Sequence, residues 1–238
     1  MEILDLFKQN KKQLAVLIDP DKLDSEGLKK TALISKEASV DFLFVGGSLL
    51  TNDDLFRSVR TLKENCDIPV VLFPGNTYQI SRNADAMLFL SLISGRNPDM
   101  LIGMHVLGAP YIKLTGLKTI PTGYMLIDSG KPTSVTYMSN SQPIPHDKND
   151  IAACTAMAGE MLGLQLIFMD AGSGADKTIS EEMVSFVKQS IDVPLIIGGG
   201  VRTPEKLKSI FDAGADVVVV GNTFEANPEL IYKFAEMR

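Results

Sequence analysis

Residues 166 to 174 read Leu166-Ile167-Phe168-Met169-Asp170-Ala171-Gly172-Ser173-Gly174. The apolar start has the composition of a strand buried on both faces. It delivers one acid, Asp170, into a Gly-Ser-Gly turn. Two later segments repeat the design without the acid, Pro194 to Gly200 (PLIIGGG) and Val217 to Asn222 (VVVVGN). Three strand ends whose glycines bare backbone N–H groups make a cradle suited to a phosphate. A carboxylate beside that cradle suggests chemistry on whatever the phosphate carries.

Working outward, continuous apolar runs recur at Leu14–Ile18, Phe42–Val45, Val70–Phe73, Met87–Leu90, Tyr124–Ile127, Leu166–Met169, Leu195–Ile197 and Val217–Val220. Helical patterns lie between most of them. Asn97-Pro98-Asp99, Thr203-Pro204-Glu205 and Asn227-Pro228-Glu229 each put a capping side chain before a proline and an acid in the first turn. Strand and helix in alternation mean βα units. The chain also repeats itself: an offset of 125 (173 − 48) lays Gly47-Ser48 on Gly172-Ser173, Asp67-Ile68-Pro69 on Asp192-Val193-Pro194, and Gly75 on Gly200. A weaker echo pairs Leu17-Ile18-Asp19 with Leu126-Ile127-Asp128. Eight units related by half the chain predict a single α/β domain over residues 1–238, a closed (β/α)₈ TIM barrel. The alternative is an open doubly wound sheet. The third unit is irregular, because only Thr77 to Asn83 separates its strand from the next. The prolines of Ser129 to Asp147 predict an irregular cover over the strand ends.

The 238 residues, 45% hydrophobic, carry a net charge of −6 and no basic stripe, which argues against nucleic acid as partner. Cys66 and Cys154 lack metal-ligand spacing and read as reduced thiols of a cytoplasmic protein. Residues 1 to 12 carry acids early, unlike a signal peptide. The apolar stretch Ala86 to Ile93 is far shorter than the roughly 20 residues needed to cross a bilayer, although peripheral membrane contact stays open.

In a barrel all strand C-termini share one face. Asp19, Ser48, Asp128 and Asp170 stand there with the glycines. Asp19 and Ser48, on adjacent strands, offer hard oxygens to Mg²⁺, which takes few protein ligands. The plain alternative is that Asp19 caps a loop and Ser48 the helix beginning near Asn52. Asp170 is placed to accept a proton from a substrate hydroxyl, or else to hold the Gly-Ser-Gly turn. Lys22 is either a diphosphate contact or a solvated helix-start residue. His105 and His146 have no partner at ligand spacing and read as structural or exposed.

Several blocks carry a likeness: Asp19-Pro20 after Leu17-Ile18, Val45-Gly46-Gly47-Ser48, Ser94-Gly95-Arg96-Asn97-Pro98, Pro143-Ile144-Pro145, Met169 through Ala175, and Val220-Gly221-Asn222. In this order the chain resembles the geranylgeranylglyceryl phosphate synthase family, which includes bacterial heptaprenylglyceryl phosphate synthases. The resemblance implies a Mg²⁺-dependent prenyltransferase of ether-lipid (phospholipid) biosynthesis. Such an enzyme joins sn-glycerol 1-phosphate to a polyprenyl diphosphate, with geranylgeranyl diphosphate expected, and releases pyrophosphate. It implies Asp19 and Ser48 as metal ligands and Asp170 as the catalytic residue that deprotonates the glycerol hydroxyl. Phe168, Met169, Asp170, Ala171, Gly172, Ser173, Gly174, Gly199, Gly200, Gly221 and Asn222 would hold the glycerol phosphate. Tyr124 and Leu90 are expected near the prenyl groove, and a homo-oligomer is expected from the resemblance alone. Many members have Tyr-Leu-Glu where this chain has Phe168-Met169-Asp170, which removes a hydroxyl and shortens the acid by one methylene.

Two other classes fit the glycine-rich strand ends: an isomerase or lyase of sugar or phosphoribosyl phosphates, and a non-catalytic phosphate binder. The first would need a second acid, base or lysine at a strand end.

Overall fold

In the computed structural model, which describes residues 2–52 and 54–238, every apolar run is a strand. These are β1 Gln13–Ile18, β2 Phe42–Val45, β3 Val70–Leu72, β4 Ala86–Leu92, β5 Thr119–Leu126, β6 Leu166–Asp170, β7 Leu195–Gly198 and β8 Val217–Val220. Each pairs in parallel with its neighbours, and β1 pairs with β8 from Gln13↔Val217 to Val16↔Val220, so the sheet is a closed barrel. The open-sheet alternative is excluded. The half-chain repeat corresponds to half a turn of the barrel, β2 and β3 lying on β6 and β7.

The helices are α1 Ile3–Phe7, α2 Ser25–Glu37, α3 Leu55–Asn65, α4 Met104–Thr115, α5 Ser134–Ser139, α6 Asn149–Met161, α7 Glu181–Lys188, α8 Pro204–Asp212, α9 Asn222–Ala226 and α10 Leu230–Ala235. Caps set several starts: the Thr203 side chain accepts from Lys206 N at 3.2 Å and that of Ser180 from Met183 N at 3.2 Å. Asn97 and Asn227 behave differently from the capping expectation. Each accepts from the N–H two residues on, Asp99 at 3.1 Å and Glu229 at 3.2 Å, making a turn before the helix. After Asn97 the chain enters a π-helical turn, Asp99–Gly103, before α4.

The third unit has no helix between β3 and β4. Its loop is held by buried Gln79, whose Oε1 accepts from Gly75 N at 3.1 Å and Gly47 N at 3.3 Å while its Nε2 donates to Gly47 O at 2.8 Å. The stretch 129–147, expected to be irregular, contains α5.

Side-chain alternation sorts the core into two layers. Ala15, Phe42, Phe44, Val71, Leu88 and Ile196 are among those filling the barrel interior, whereas Val16, Leu43, Met169 and Val218 face the helices. Phe7 of α1 closes the floor by stacking on Phe42, with ring centroids 4.2 Å apart at 6°. At the same end, Asp41, Asp85 and Asp216 accept backbone N–H groups of Leu14, Val70 and Leu195, and each carboxylate also meets a cation, as Asp85 meets Lys63 and Asp216 meets Lys188. These contacts stabilise the end opposite the site. Phe7→Ala is expected to lower the free energy of unfolding by about 3–5 kcal/mol, measured by denaturant titration, with ligand affinity kept.

Candidate active site

Period-two alternation along β6 decides where the acid points. Leu166 and Phe168 face the interior, so Asp170, two residues on, does too. A cavity of about 580 Å³ opens above them, within the range common for small-molecule sites. Asp19, Ser48, Leu90, Tyr124, Phe168, Asp170, Ser173, Gly174, Gly199, Gly200, Gly221 and Asn222 all line it. Met169 does not, because its side chain belongs to the helix-facing layer. Ala171 and Gly172 are also off the wall; the Ala171 N–H donates to Gly198 O, and the Gly172 N–H to Asp170.

Glycine is required at 199. Its φ is +88°, and a Cβ there would stand 2.7 Å from the N of both Ala171 and Gly172 and 2.8 Å from Asp170 Oδ1. Bare backbone from the ends of β6 and β7 thus meets directly beside the carboxylate. Beside these glycines, Ser173 Oγ donates to Asn222 Oδ1 at 3.1 Å, joining the segments after β6 and β8. Lys22 Nζ donates to the same Asn222 Oδ1 at 3.2 Å and to Glu225 Oε2 at 2.8 Å, and lies 3.7 Å from Asp19 Oδ2. Burial opposes its charge, but Glu225 and then Asp19 outweigh that and raise the ammonium pKa. Lys22 therefore ties the loop after β1 to that after β8. Glu225 escaped the sequence reading, though an acid four residues after Gly221 was the available signal.

Asp170, 8% exposed, is gripped on both oxygens. Tyr124 OH donates to Oδ2 at 2.5 Å and Gly172 N to Oδ1 at 2.7 Å. Burial raises the carboxyl pKa above its ordinary value, against those two hydrogen bonds, which pull it down. Burial, followed by the charge of Asp170, holds the Tyr124 phenol well above its usual range, so it remains a donor. Asp19 Oδ1 accepts from Asp21 N at 3.1 Å, the loop-capping contact, while the carboxylate still faces the cavity beside Ser48. Asp128 is elsewhere. Its Oδ1 accepts from Gly130 N at 3.0 Å and it does not line the cavity.

The apolar half of the cavity runs past Phe73, Ile80, Leu90, Met104 and Ile112. Met87 and Phe89 also line it, although both project outward from β4. The cavity thus leaves the barrel interior and follows the outer face of β4 under α4, where a regular third unit would have placed its helix. His105, read as structural or exposed, is half-buried on this wall, edge-on to Phe89 at 4.5 Å, with burial lowering its pKa. His146 is remote, with Nε2 3.1 Å from Thr178 O. Cys66 is buried and Cys154 exposed, both free. No helix among the described residues is long and apolar enough to cross a membrane.

Asp170 also carries a stability consequence. Its pKa is raised by folding, so its contribution is full below the ordinary carboxylate pKa and is lost as pH rises through the raised folded value. Asp170→Asn removes the buried charge; its one carbonyl oxygen is kept for the Gly172 N–H, and its amide NH₂ faces the Tyr124 oxygen, which then accepts. The variant is expected to melt at or above the temperature of the parent at pH 8, with the difference vanishing below pH 4; calorimetry across pH checks it.

Three comparisons bear on this geometry. Residues 7–237 match the model of the PcrB family. The chain is 55% identical over 225 residues to a protein of Chitinophaga pinensis named geranylgeranylglyceryl phosphate synthase, covering 94% of this chain and 89% of that protein. It is 48% identical over 236 residues to one of the same name from Spirosoma linguale, covering 99% and 95%. The crystal structure of (S)-3-O-geranylgeranylglyceryl phosphate synthase from Thermoplasma acidophilum, in complex with its substrate sn-glycerol-1-phosphate, superposes with a TM-score of 0.94 at 31% identity, covering 100% of this chain and 98% of that one. A match spanning nearly the whole chain, with relatives this similar along it, means that the protein belongs to the PcrB family.

Proposed function

We propose that this protein is a prenyltransferase of the geranylgeranylglyceryl phosphate synthase type, joining sn-glycerol 1-phosphate to a long polyprenyl diphosphate as an ether and releasing pyrophosphate. The observation that carries the reading is that one cavity is lined by the strand-end glycines, a buried carboxylate and an arm of apolar side chains. The names of the relatives and the glycerol phosphate in the Thermoplasma complex support it.

In this reading the loops at Ser173-Gly174, Gly199-Gly200 and Gly221-Asn222 hold the phosphate through backbone N–H groups. Anchoring that end presents the glycerol hydroxyl to Asp170 at bonding distance. The bond between the allylic carbon and the diphosphate oxygen breaks, the glycerol oxygen bonds to that carbon, and the hydroxyl proton passes to the Asp170 carboxylate. Pyrophosphate leaves with the bonding electrons. The raised basicity of Asp170 suits the task. The apolar arm past Leu90 takes the prenyl tail and excludes water.

Asp19 and Ser48 fit a hard divalent cation. A carboxylate and a hydroxyl share one wall, and few protein ligands suit Mg²⁺, which keeps positions for water and phosphate. The chemistry such an ion supplies when bound is neutralisation of charge on the diphosphate oxygens. Among the described residues no group of three or more His, Cys, Asp or Glu side chains is arranged for a metal.

The isomerase or lyase reading had Asp19 and Asp128 as candidates for its second strand-end acid; Asp128 is turned to its own loop, which leaves Asp19. Oligomeric assembly, cytoplasmic location and contact with a membrane surface accompany the proposal by analogy.

The test is pyrophosphate release with purified protein, glycerol phosphate and a ladder of prenyl diphosphates. Release is expected with both substrates and Mg²⁺ present and none after chelation. Asp170→Asn is expected to lower kcat by about 10²–10⁴-fold, with glycerol phosphate affinity changed far less. A protein that binds glycerol phosphate yet releases no pyrophosphate from any member of the ladder would sink the proposal and leave the binder.

A further inference from the structure

We propose that Tyr124 is a positioning residue for Asp170: its hydroxyl, reaching across from the neighbouring strand, sets where the carboxylate stands and at what pH it is ionised. The inference rests on the reading of Asp170 as the base.

The register of β5 on β6 places Tyr124 opposite Phe168 and Leu126 opposite Asp170. Tyr124 therefore lies diagonal to the acid on the same inward face, within reach of a long side chain. Its ring is packed edge-on against Phe168 at 5.5 Å and 88° and against Phe73 at 5.7 Å and 68°, while Phe73 and Phe168 stack at 5.0 Å. Gly198 admits this cluster, since a Cβ there would stand 2.9 Å from the Phe168 ring. Three interlocked rings give the phenol one direction, and that direction ends on Asp170 Oδ2 at 2.5 Å.

A phenol buried so completely needs a partner, and this one is committed to the acid. The position at 168 has no hydroxyl to offer, and aspartate is the shorter acid. A fixed donor from β5 and the Gly172 N–H from the loop after β6 hold its oxygens in place, with their remaining lone pairs free for the substrate hydroxyl.

The surroundings isolate the effect. From β5 the facing titratable group is Tyr124. The loop after β6 presents no titratable group, only the Gly172 N–H, and the end of β7 presents only Gly198 and Gly199. Asp19, Lys22, His105, Arg202 and Glu225 line the same cavity, but none of them forms a hydrogen bond or ion pair with Asp170 among the described residues. A hydrogen bond donated to the carboxylate favours its ionised form. Removing the donor must raise the pH at which the base becomes available, and strengthening it must lower that pH.

The experiment compares Tyr124→Phe with protein carrying 3-fluorotyrosine at 124, an almost isosteric and stronger donor. For Tyr124→Phe, kcat is expected to fall at least about tenfold, with glycerol phosphate affinity changed less than about threefold. The acid limb of the rate profile is expected to rise by about one to two pH units. For fluorotyrosine the limb moves the other way. The Asp170 carboxyl is followed in parallel by ¹³C NMR without prenyl substrate, assigned with Asp170→Asn, and its midpoint should track both shifts. Loss of rate with an unmoved limb and midpoint would mean that Tyr124 only fills space, and overturns the inference. If Tyr124→Phe does not fold, the fluorotyrosine shift alone decides, and its absence is equally fatal. Midpoints that move in a protein without pyrophosphate release would count against prenyl transfer and not against the Tyr124 contact.

Discussion

A carboxylate buried inside a barrel is the constraint around which the strand ends are organised. Left alone, an ionised acid in such surroundings would cost several kcal/mol and would protonate instead. At Asp170 two donors, the Tyr124 hydroxyl and the Gly172 N–H, work against that and favour the ionised form. Each depends on a larger feature. The phenol depends on the pairing of β5 with β6 and on the aromatic cluster behind it. The N–H depends on a turn of glycines pressed against Gly199, where no Cβ fits.

The irregular third unit belongs to the same design. A TIM barrel normally buries the outer face of every strand under a helix. Here β3 passes to β4 through a loop pinned by Gln79, and the outward residues Met87 and Phe89 become cavity wall. Space that a helix would have filled is part of the cavity, continuous with the wall that carries Asp170 and the strand-end glycines. The opposite end is built for stability, with Phe7 in the floor and aspartates clamping strand starts. Irregularity is confined to the end that holds the site.

Much of this was legible in the chain. Continuous apolar runs could only be strands covered on both faces, and the offset between Gly47-Ser48 and Gly172-Ser173 implied a half-turn repeat. The short Thr77–Asn83 interval declared a missing helix. Glycines after β6, β7 and β8 pointed to one end of the barrel, and Gly174, Gly199, Gly200 and Gly221 do stand in the cavity wall there. Asp128 was less tractable. It follows β5 as Asp19 follows β1, yet its carboxylate folds back on Gly130. Strand position names the face on which a residue stands, and local hydrogen bonding decides where the side chain goes.

By itself, then, the amino-acid order determined the barrel, the face that carries the site and the acid that faces its centre, because all three follow from periodicity and from residue types that short-range sterics confine. Only the tertiary structure decided which groups touch. The grip of Tyr124 on Asp170 spans 46 positions, the bridge from Lys22 to Glu225 spans 203, and the apolar arm under α4 exists only because a helix is absent there. Such contacts depend on strand register and closure of the ring, which no local pattern encodes.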